Sequence, residues 1–393
     1  MAFRRVANCR CASEIYMPNL LEVPQGRFQL KRLPRRTLEK LQAWDAADEY
    51  LLHYLADQEL PAPNAQVTLL NDSFGALALA LHDHHPIAIS DSYLSRQATQ
   101  INLQDNAIST HQVRFLDSLS IPDQAIDYLF IKVPKTLALL EYQLISLRPL
   151  LRPQTRIIAA GMVKTLPASV WTLMERLIGP TSTSLARKKA RLIFAVVDAE
   201  LKLPDNPYPQ QYRLENTDFL ISNHANVFSR ESLDIGSRFL LQHLPDHPSY
   251  RRLIDLGCGN GVVGLLLAQR YQQADICFVD ESYMAIDSAR ANFSRAYSGK
   301  RAEFLVNDGL SGFAPQSADC IVCNPPFHQQ HAMGDQIAWQ MFQQSYQVLR
   351  QAGELRVIGN RHLNYLFSLK KIFGNSEMVA SNAKFVIVKA IKR

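Results

Sequence analysis

The chain has 393 residues, 47% hydrophobic and 20% charged, the balance of a soluble globular protein too long for one compact domain. No stretch approaches the ~18–20 uninterrupted apolar residues of a membrane helix, and no apolar run follows the basic N-terminus as a secretory signal requires. The net charge of +6 is unevenly spread, with basic blocks at Arg4–Lys40, Arg152–Arg191 and Arg350–Arg393, which fit either a polyanion partner or solvated surface.

Residues 1–25 match no pattern found elsewhere in the chain. They read as a disordered N-terminal arm, or Met17 stands as the true start. Residues 26–201 form a first α/β unit. Val67 to Ala80 reads as strand, turn and helix with one glycine, Gly75; Ile87 to Tyr93 is a strand running into Asp91; Val113 to Asp117 and Tyr128 to Lys135 are further strands. Near its end stands the cluster Arg187, Lys188, Lys189, Arg191, expected either to bind the phosphates of a polyanion or to solvate a surface helix. Residues 202–211 carry three prolines and no periodicity, the mark of a linker.

The second unit, 212–393, opens with a short hairpin from Tyr212 to Ser222 and a helix expected over Ser232–Leu244. Then come four strands, ending at Asp255, at Asp280, at Asn307 and Asp308, and at Asn324, with a helical pattern after each of the first two. Strands alternating with helices predict a doubly wound, mostly parallel sheet. Pairing Asn71 with Asp255, Asp91 with Asp280 and Lys132 with Asn324 gives offsets of 184, 189 and 192. That drift is what a duplication with small insertions leaves, so the fold class expected is α/β, two tandem Rossmann-like domains, the N-terminal one degenerate.

The segment Asp255-x-Gly257-x-Gly259-x-Gly261 alternates its glycines, unlike the dinucleotide G-x-G-x-x-G. Backbone so free of side chains suits the methionine part of S-adenosylmethionine (SAM). Asp255 is expected at the cofactor's amino end or in the field of its sulfonium, Asp280 on the ribose hydroxyls and Asp308 near the adenine. Asn324-Pro325-Pro326-Phe327 then points to an amino substrate. An amine conjugated to a ring is a poor nucleophile until acceptors draw its N–H groups. The Asn324 side-chain oxygen and the Pro325 carbonyl are suitable acceptors. Pro325 and Pro326 hold the loop rigid, and Phe327 offers a stacking face for an extruded base. Phe228 can cover the cofactor and Asp234 reach its carboxyl end, or both are ordinary packing and capping residues.

His328 and His331 are the nearest to a metal pair, but no third ligand stands near, so no metal is expected. Cys320 and Cys323 have no second pair beyond the remote Cys9 and Cys11. They read as buried strand residues in a reducing cytoplasm.

Gln42 to Leu52, Ile131 to Leu140, His224 to Arg230 and Cys323 to His331 together resemble the RlmG/RsmC family of bacterial rRNA guanine-N2 methyltransferases. The resemblance spans roughly Gly26 to Lys392. It implies a catalytic C-terminal domain, a cofactor-free N-terminal copy that helps hold RNA, and 23S rRNA as the partner, acted on at a guanine N2 amino group. It carries the glycine turn and Asp280 over to SAM, and Asn324 to Phe327 to the target amine. The alternatives are a guanine in small-subunit rRNA, a DNA adenine or a protein glutamine, the last disfavoured by the basic cluster at Arg187–Arg191.

Overall fold

The structure, a computed structural model, describes residues 19–34, 41–326 and 331–393, the side chains of 331–335 excepted. Phe327 and the side chains of His328 and His331 therefore lie outside the described residues, as do residues 1–18 of the expected arm.

The N-terminal half runs β1 (Leu20–Val23), β2 (Gly26–Gln29), α1 (Ala46–Asp57), β3 (Val67–Leu70), α2 (Ala76–Ala80), β4 (Ile87–Ser90), α3 (Tyr93–Asp105), β5 (Arg114–Asp117), β6 (Ile126–Lys132), α4 (Leu137–Leu147), β7 (Leu151–Met162), α5 (Ala168–Leu177), β8 (Thr181–Thr183) and β9 (Ala190–Ala195). The C-terminal half repeats it: β10 (Gln210–Arg213), β11 (Leu220–Asn223), α6 (Ile235–Leu241), β12 (Arg252–Leu256), α7 (Val262–Arg270), β13 (Asp275–Asp280), α8 (Tyr283–Ala296), β14 (Glu303–Val306), β15 (Ala318–Cys323), α9 (His331–Val348), β16 (Leu349–Asn360), α10 (Tyr365–Phe373), β17 (Glu377–Ser381) and β18 (Phe385–Ile391).

Two seven-stranded sheets share one topology, β5-β4-β3-β6-β7-β9-β8 and β14-β13-β12-β15-β16-β18-β17. In each, the first five strands pair in parallel, and the last two pairings, β7-β9-β8 and β16-β18-β17, are antiparallel. Central strands are apolar on both faces because helices cover both: all four residues of β3 are buried, as are Leu253–Leu256 of β12. The order of connection reverses between β12 and β15, which opens a crevice at their carboxyl ends.

Backbone bonds give the register of the duplication, and it differs from the one read in the sequence. Asn71 N donates to Ile89 O as Gly257 N does to Val279 O. Gly75 and Gly261 occupy the same left-handed N-cap, of α2 and α7, 186 residues apart. Ser92 caps α3 as Ser282 caps α8, an offset of 190. Asn71 thus corresponds to Gly257 rather than Asp255, and Asp91 to Glu281 rather than Asp280; the position of Asp280 is held by Ser90. Side chains at these positions had diverged too far to show the match.

Residues 20–25 also depart from expectation. They belong to the β1/β2 hairpin, with Leu21 fully buried, and the hairpin is the counterpart of β10/β11. Asn102 holds the backbone of Lys31 and Phe74 as Asn292 holds that of Ser222 and Asn260. The helix expected over Ser232–Leu244 is shorter, since Asp234 caps it and it ends before Gln242.

Candidate active site

The chain turns out of β12 through Gly257, Gly259 and Gly261, all at positive φ (72°, 53° and 81°). Each serves a different need. A Cβ on Gly261 would stand 2.9 Å from the Ala289 Cβ, so its absence lets α7 start against α8. A Cβ on Gly257 would stand 3.5 Å from the Asn324 carbonyl oxygen and 3.6 Å from Met341, so this turn and the Asn324 loop lie side by side. A Cβ on Gly259 would meet nothing within 4 Å: the backbone here faces open space. One turn into α7, Gly264 lets the helix settle onto the ring of Phe278, which an added Cβ would strike.

Asp255 is buried, and its Oδ2 accepts from Gly264 N at 2.8 Å. Burial above all, with like charge from Asp280, pushes its pKa up to about 7. This carboxylate, expected at the cofactor's amino end or in the field of its sulfonium, holds the first turns of α7, where it satisfies a backbone donor. Asp280, ending β13, accepts from Gly259 N at 2.9 Å and from Ser282 N at 3.0 Å, and so ties the glycine turn to the start of α8. Burial raises its pKa against these bonds. Asp308 stands in the turn after β14, 3.4 Å from Gln340 Nε2, its pKa also raised by burial.

Asn324 follows β15 on the other side of the crevice. Its Nδ2 donates to Ser237 Oγ at 3.2 Å, and its Oδ1 is buried with no hydrogen-bond partner. Ser237 is fixed in turn by Asp234, whose Oδ2 caps α6 through Ser237 N at 2.7 Å. Asp234, expected at the cofactor's carboxyl end, is thus a helix cap whose anchored serine orients Asn324. Pro325 is buried and Pro326 exposed. Phe228, in the loop between β11 and α6, is 59% exposed.

One residue the sequence reading missed is Asn360, at the carboxyl end of β16 beside β15, whose Oδ1 is also buried without a partner. Its N-terminal counterpart by strand position is Met162, and that contrast was the signal available.

The N-terminal crevice is filled where the C-terminal one is open. At the position of Asn324, Lys132 reaches Asp45 and Asp48, both at 2.8 Å. Asp45 caps α1 as Asp234 caps α6, and Asp48 stands where Ser237 does. At the position of Gly257, Asn71 exchanges bonds of 2.9 Å with Gln143. Asp72 accepts from Gly75, Leu77 and Ala78 N–H, taking over the turn-holding part of Asp255.

The cluster Arg187–Arg191 is not on a helix. Arg187 and Ala190 exchange both backbone bonds, 2.9 and 2.8 Å, around a two-residue turn made of Lys188 and Lys189. Both lysines are exposed at positive φ, 47° and 63°, and Lys188 pairs with Glu49 at 2.8 Å. Among the described residues no group of three or more His, Cys, Asp or Glu side chains stands close enough to hold a metal ion. Cys258, Cys277, Cys320 and Cys323 are buried and unpaired.

Family models described as the RLMG N-terminal domain and the methyltransferase small domain match residues 18–199 and 218–389. The ribosomal RNA large subunit methyltransferase G of Aeromonas hydrophila is 51% identical, over 96% of this chain and the whole of that one. That of Streptomyces coelicolor is 46% identical, over 95% of this chain and all of its own. Among solved structures, the 16S rRNA N2 methyltransferase RsmC of T. thermophilus, in complex with AdoMet and guanosine, superposes with a TM-score of 0.73 at 20% identity, covering 95% of this chain and 97% of its own. That likeness carries the fold of both halves, degenerate one included. On the full-length identity with its relatives, the chain belongs to the ribosomal RNA large subunit methyltransferase G family.

Proposed function

We propose that the chain transfers the methyl group of SAM to the exocyclic N2 amino group of a guanine in 23S rRNA, with the C-terminal half as the catalytic unit. The observation that carries this reading is the buried, unpartnered Oδ1 of Asn324 beside the glycine turn. An acceptor buried without a donor is costly, and an amino N–H entering the crevice is the donor it lacks. The open space at Gly259, with Asp280 at its edge, suits the cofactor.

SAM supplies an electrophilic methyl group when bound. Gly257, Gly259 and Gly261 leave room against the backbone for its methionine part, Asp280 holds the ribose hydroxyls, Asp308 faces the adenine and Phe228 covers the site. Asn324 Oδ1 and the Pro325 carbonyl accept the two N–H groups of the target amine, which turns its lone pair out of conjugation with the ring. Pro326 stiffens the loop, and Phe327 stacks on the extruded base. Ser237 anchors the Asn324 amide, its hydroxyl accepting from Nδ2. The Lys188–Lys189 hairpin of the other half, with Arg187 and Arg191, holds flanking RNA through phosphates. Large-subunit rRNA is the substrate named in the relatives. The unpaired buried cysteines suit a reducing cytoplasm, and no helix among the described residues is long and apolar enough to cross a membrane.

The test is incubation with tritiated SAM and deproteinised 23S rRNA from a strain lacking the gene, followed by nucleoside analysis. Label in N2-methylguanosine is expected. Label in methyladenosine, or no incorporation into the 23S rRNA, would overturn the substrate assignment.

A further inference from the structure

The two halves meet through the same turn of each. Ser92 and Ser282 form an antiparallel bridge, with Tyr93 N donating to Glu281 O at 2.9 Å and Tyr283 N to Asp91 O at 3.0 Å. Each half then sends its acid across to the other's helix. Glu281 accepts from Ser92 Oγ at 2.6 Å and from the backbone of Leu94, at the start of α3. Asp91 does the reciprocal: Oδ1 accepts from Met284 N at 2.9 Å and Oδ2 from Ser282 Oγ at 2.6 Å, at the start of α8.

The exchange is symmetric, but its consequences are not. On the N-terminal side it supports a crevice that Lys132, Asp45 and Asp48 have closed. On the C-terminal side, the Ser282 whose hydroxyl is held by Asp91 gives its backbone N–H to Asp280, which also holds Gly259 N. Asp91 has a third donor, Asn226 Nδ2 at 2.7 Å, in the loop that carries Phe228. That loop is seated between the halves, with Ala225 and Val227 buried against Ala138 and Leu139 of α4 and against Met284. One buried carboxylate of the degenerate half, 3% exposed, therefore ties together the turn of the ribose-holding acid and the loop of the covering aromatic.

We infer that Asp91 is a positioning residue for the SAM pocket, so that the N-terminal half completes the cofactor site of the C-terminal half without touching the cofactor. This inference rests on the reading of Asp280 as the ribose-holding acid. A carboxylate suits the post because its two oxygens serve three donors from two places in the chain; an amide would present an N–H to one of them. The duplicated half is thereby retained for more than RNA: it is a wall of the site that its twin uses.

The experiment compares Asp91→Ala, Asn226→Ala, Ser92→Ala and Asp280→Ala in the full chain, each by SAM calorimetry, by methylation kinetics at saturating rRNA, and by thermal melting. Ser92→Ala is the control, since it removes the reciprocal contact at the same interface and keeps every side-chain bond of Asp91, Asp280 and Asn226. Asp91→Ala should raise the SAM Kd and KM by about 3–30-fold, the usual span of indirect couplings, with kcat at saturating SAM within about twofold of the parent. Asn226→Ala should move Kd in the same direction by less, and it serves if Asp91→Ala does not fold. Ser92→Ala should lower the melting temperature without changing the SAM Kd. Unchanged SAM affinity in both Asp91→Ala and Asn226→Ala, or an equal loss in Ser92→Ala, would overturn the inference. Unchanged affinity in Asp280→Ala would instead remove the reading beneath it.

Discussion

A buried amide oxygen without a donor costs about 1–3 kcal/mol, and Asn324 bears that cost at the mouth of the crevice. Its Nδ2 donates to Ser237 Oγ, which leaves the oxygen for an arriving amine. Such an acceptor acts on the target in the transition state rather than on the cofactor. Asn324→Ala should therefore leave the SAM Kd within about twofold by calorimetry and reduce kcat by ~10²–10⁴-fold, the range for removing one preorganised polar group. Loss of SAM binding with the fold intact would move Asn324 to the cofactor site. The residues proposed to carry the chemistry were legible in the sequence because their identities are rare: alternating glycines after an apolar run ending in an acid, and Asn-Pro-Pro after a strand. Those that orient them were not. Ser237 and Asp234 look like any helix start, and Asp91 lies about 190 residues from the turn it holds.

The hairpin turn between β8 and β9 has an opposite logic. A two-residue turn with both φ positive favours Asn-Gly, and side chains with a Cβ are strained there by about 1–2 kcal/mol each. Lys188 and Lys189 occupy both places, and the Lys188–Glu49 pair, on a lysine 70% exposed, offsets little of that strain. Strain held at an exposed basic tip is a reason to assign it a function. Replacing Lys188 by Asn together with Lys189 by Gly should stabilise the protein by about 1–2 kcal/mol in denaturant unfolding. It should also weaken rRNA binding and flatten the log–log salt dependence by roughly 1.5, because two phosphate-neutralising charges are removed. An unchanged salt slope would locate the RNA surface elsewhere, with Arg361, Lys370 and Lys371 the next basic group to test. A surface helix was the bland alternative in the sequence, where nothing in four basic residues signals a turn of this type. The hairpin at 20–29 escaped notice for a related reason: equivalence to β10/β11 rests on which backbone Asn102 and Asn292 hold, not on residue identity.

At the scale of the whole molecule, the doubly wound, mostly parallel sheets of both halves followed from alternating apolar runs and helices. How the halves meet did not, because pattern gives each sheet its faces and says nothing of which turns will touch. That meeting places Asp91, Glu281 and Asp280 close together. Burial above all pushes the Glu281 pKa up to about 7, with like charge from Asp280 and Asp91 adding to it and the Ser92 hydroxyl opposing. Burial likewise pushes Asp91 up to about 6. Carboxyls raised in the fold hold protons that the unfolded chain releases, so their contribution to stability is full below about pH 4 and is lost as the pH rises through 6 to 7. The melting temperature of Glu281→Gln should accordingly vary less between pH 4.5 and 7.5 than that of the parent; parallel profiles would show that Glu281 titrates normally.

The central claim is that duplication left one working crevice and one closed by its own side chains. Lys132 with Asp45 and Asp48 fills the place of Asn324, Asn71 with Gln143 fills that of Gly257, and Ser90 replaces Asp280. Titration of the full chain with SAM by calorimetry tests this most directly. One equivalent per chain is predicted, abolished by Asp280→Ala. Two equivalents, or one that survives Asp280→Ala, would contradict it.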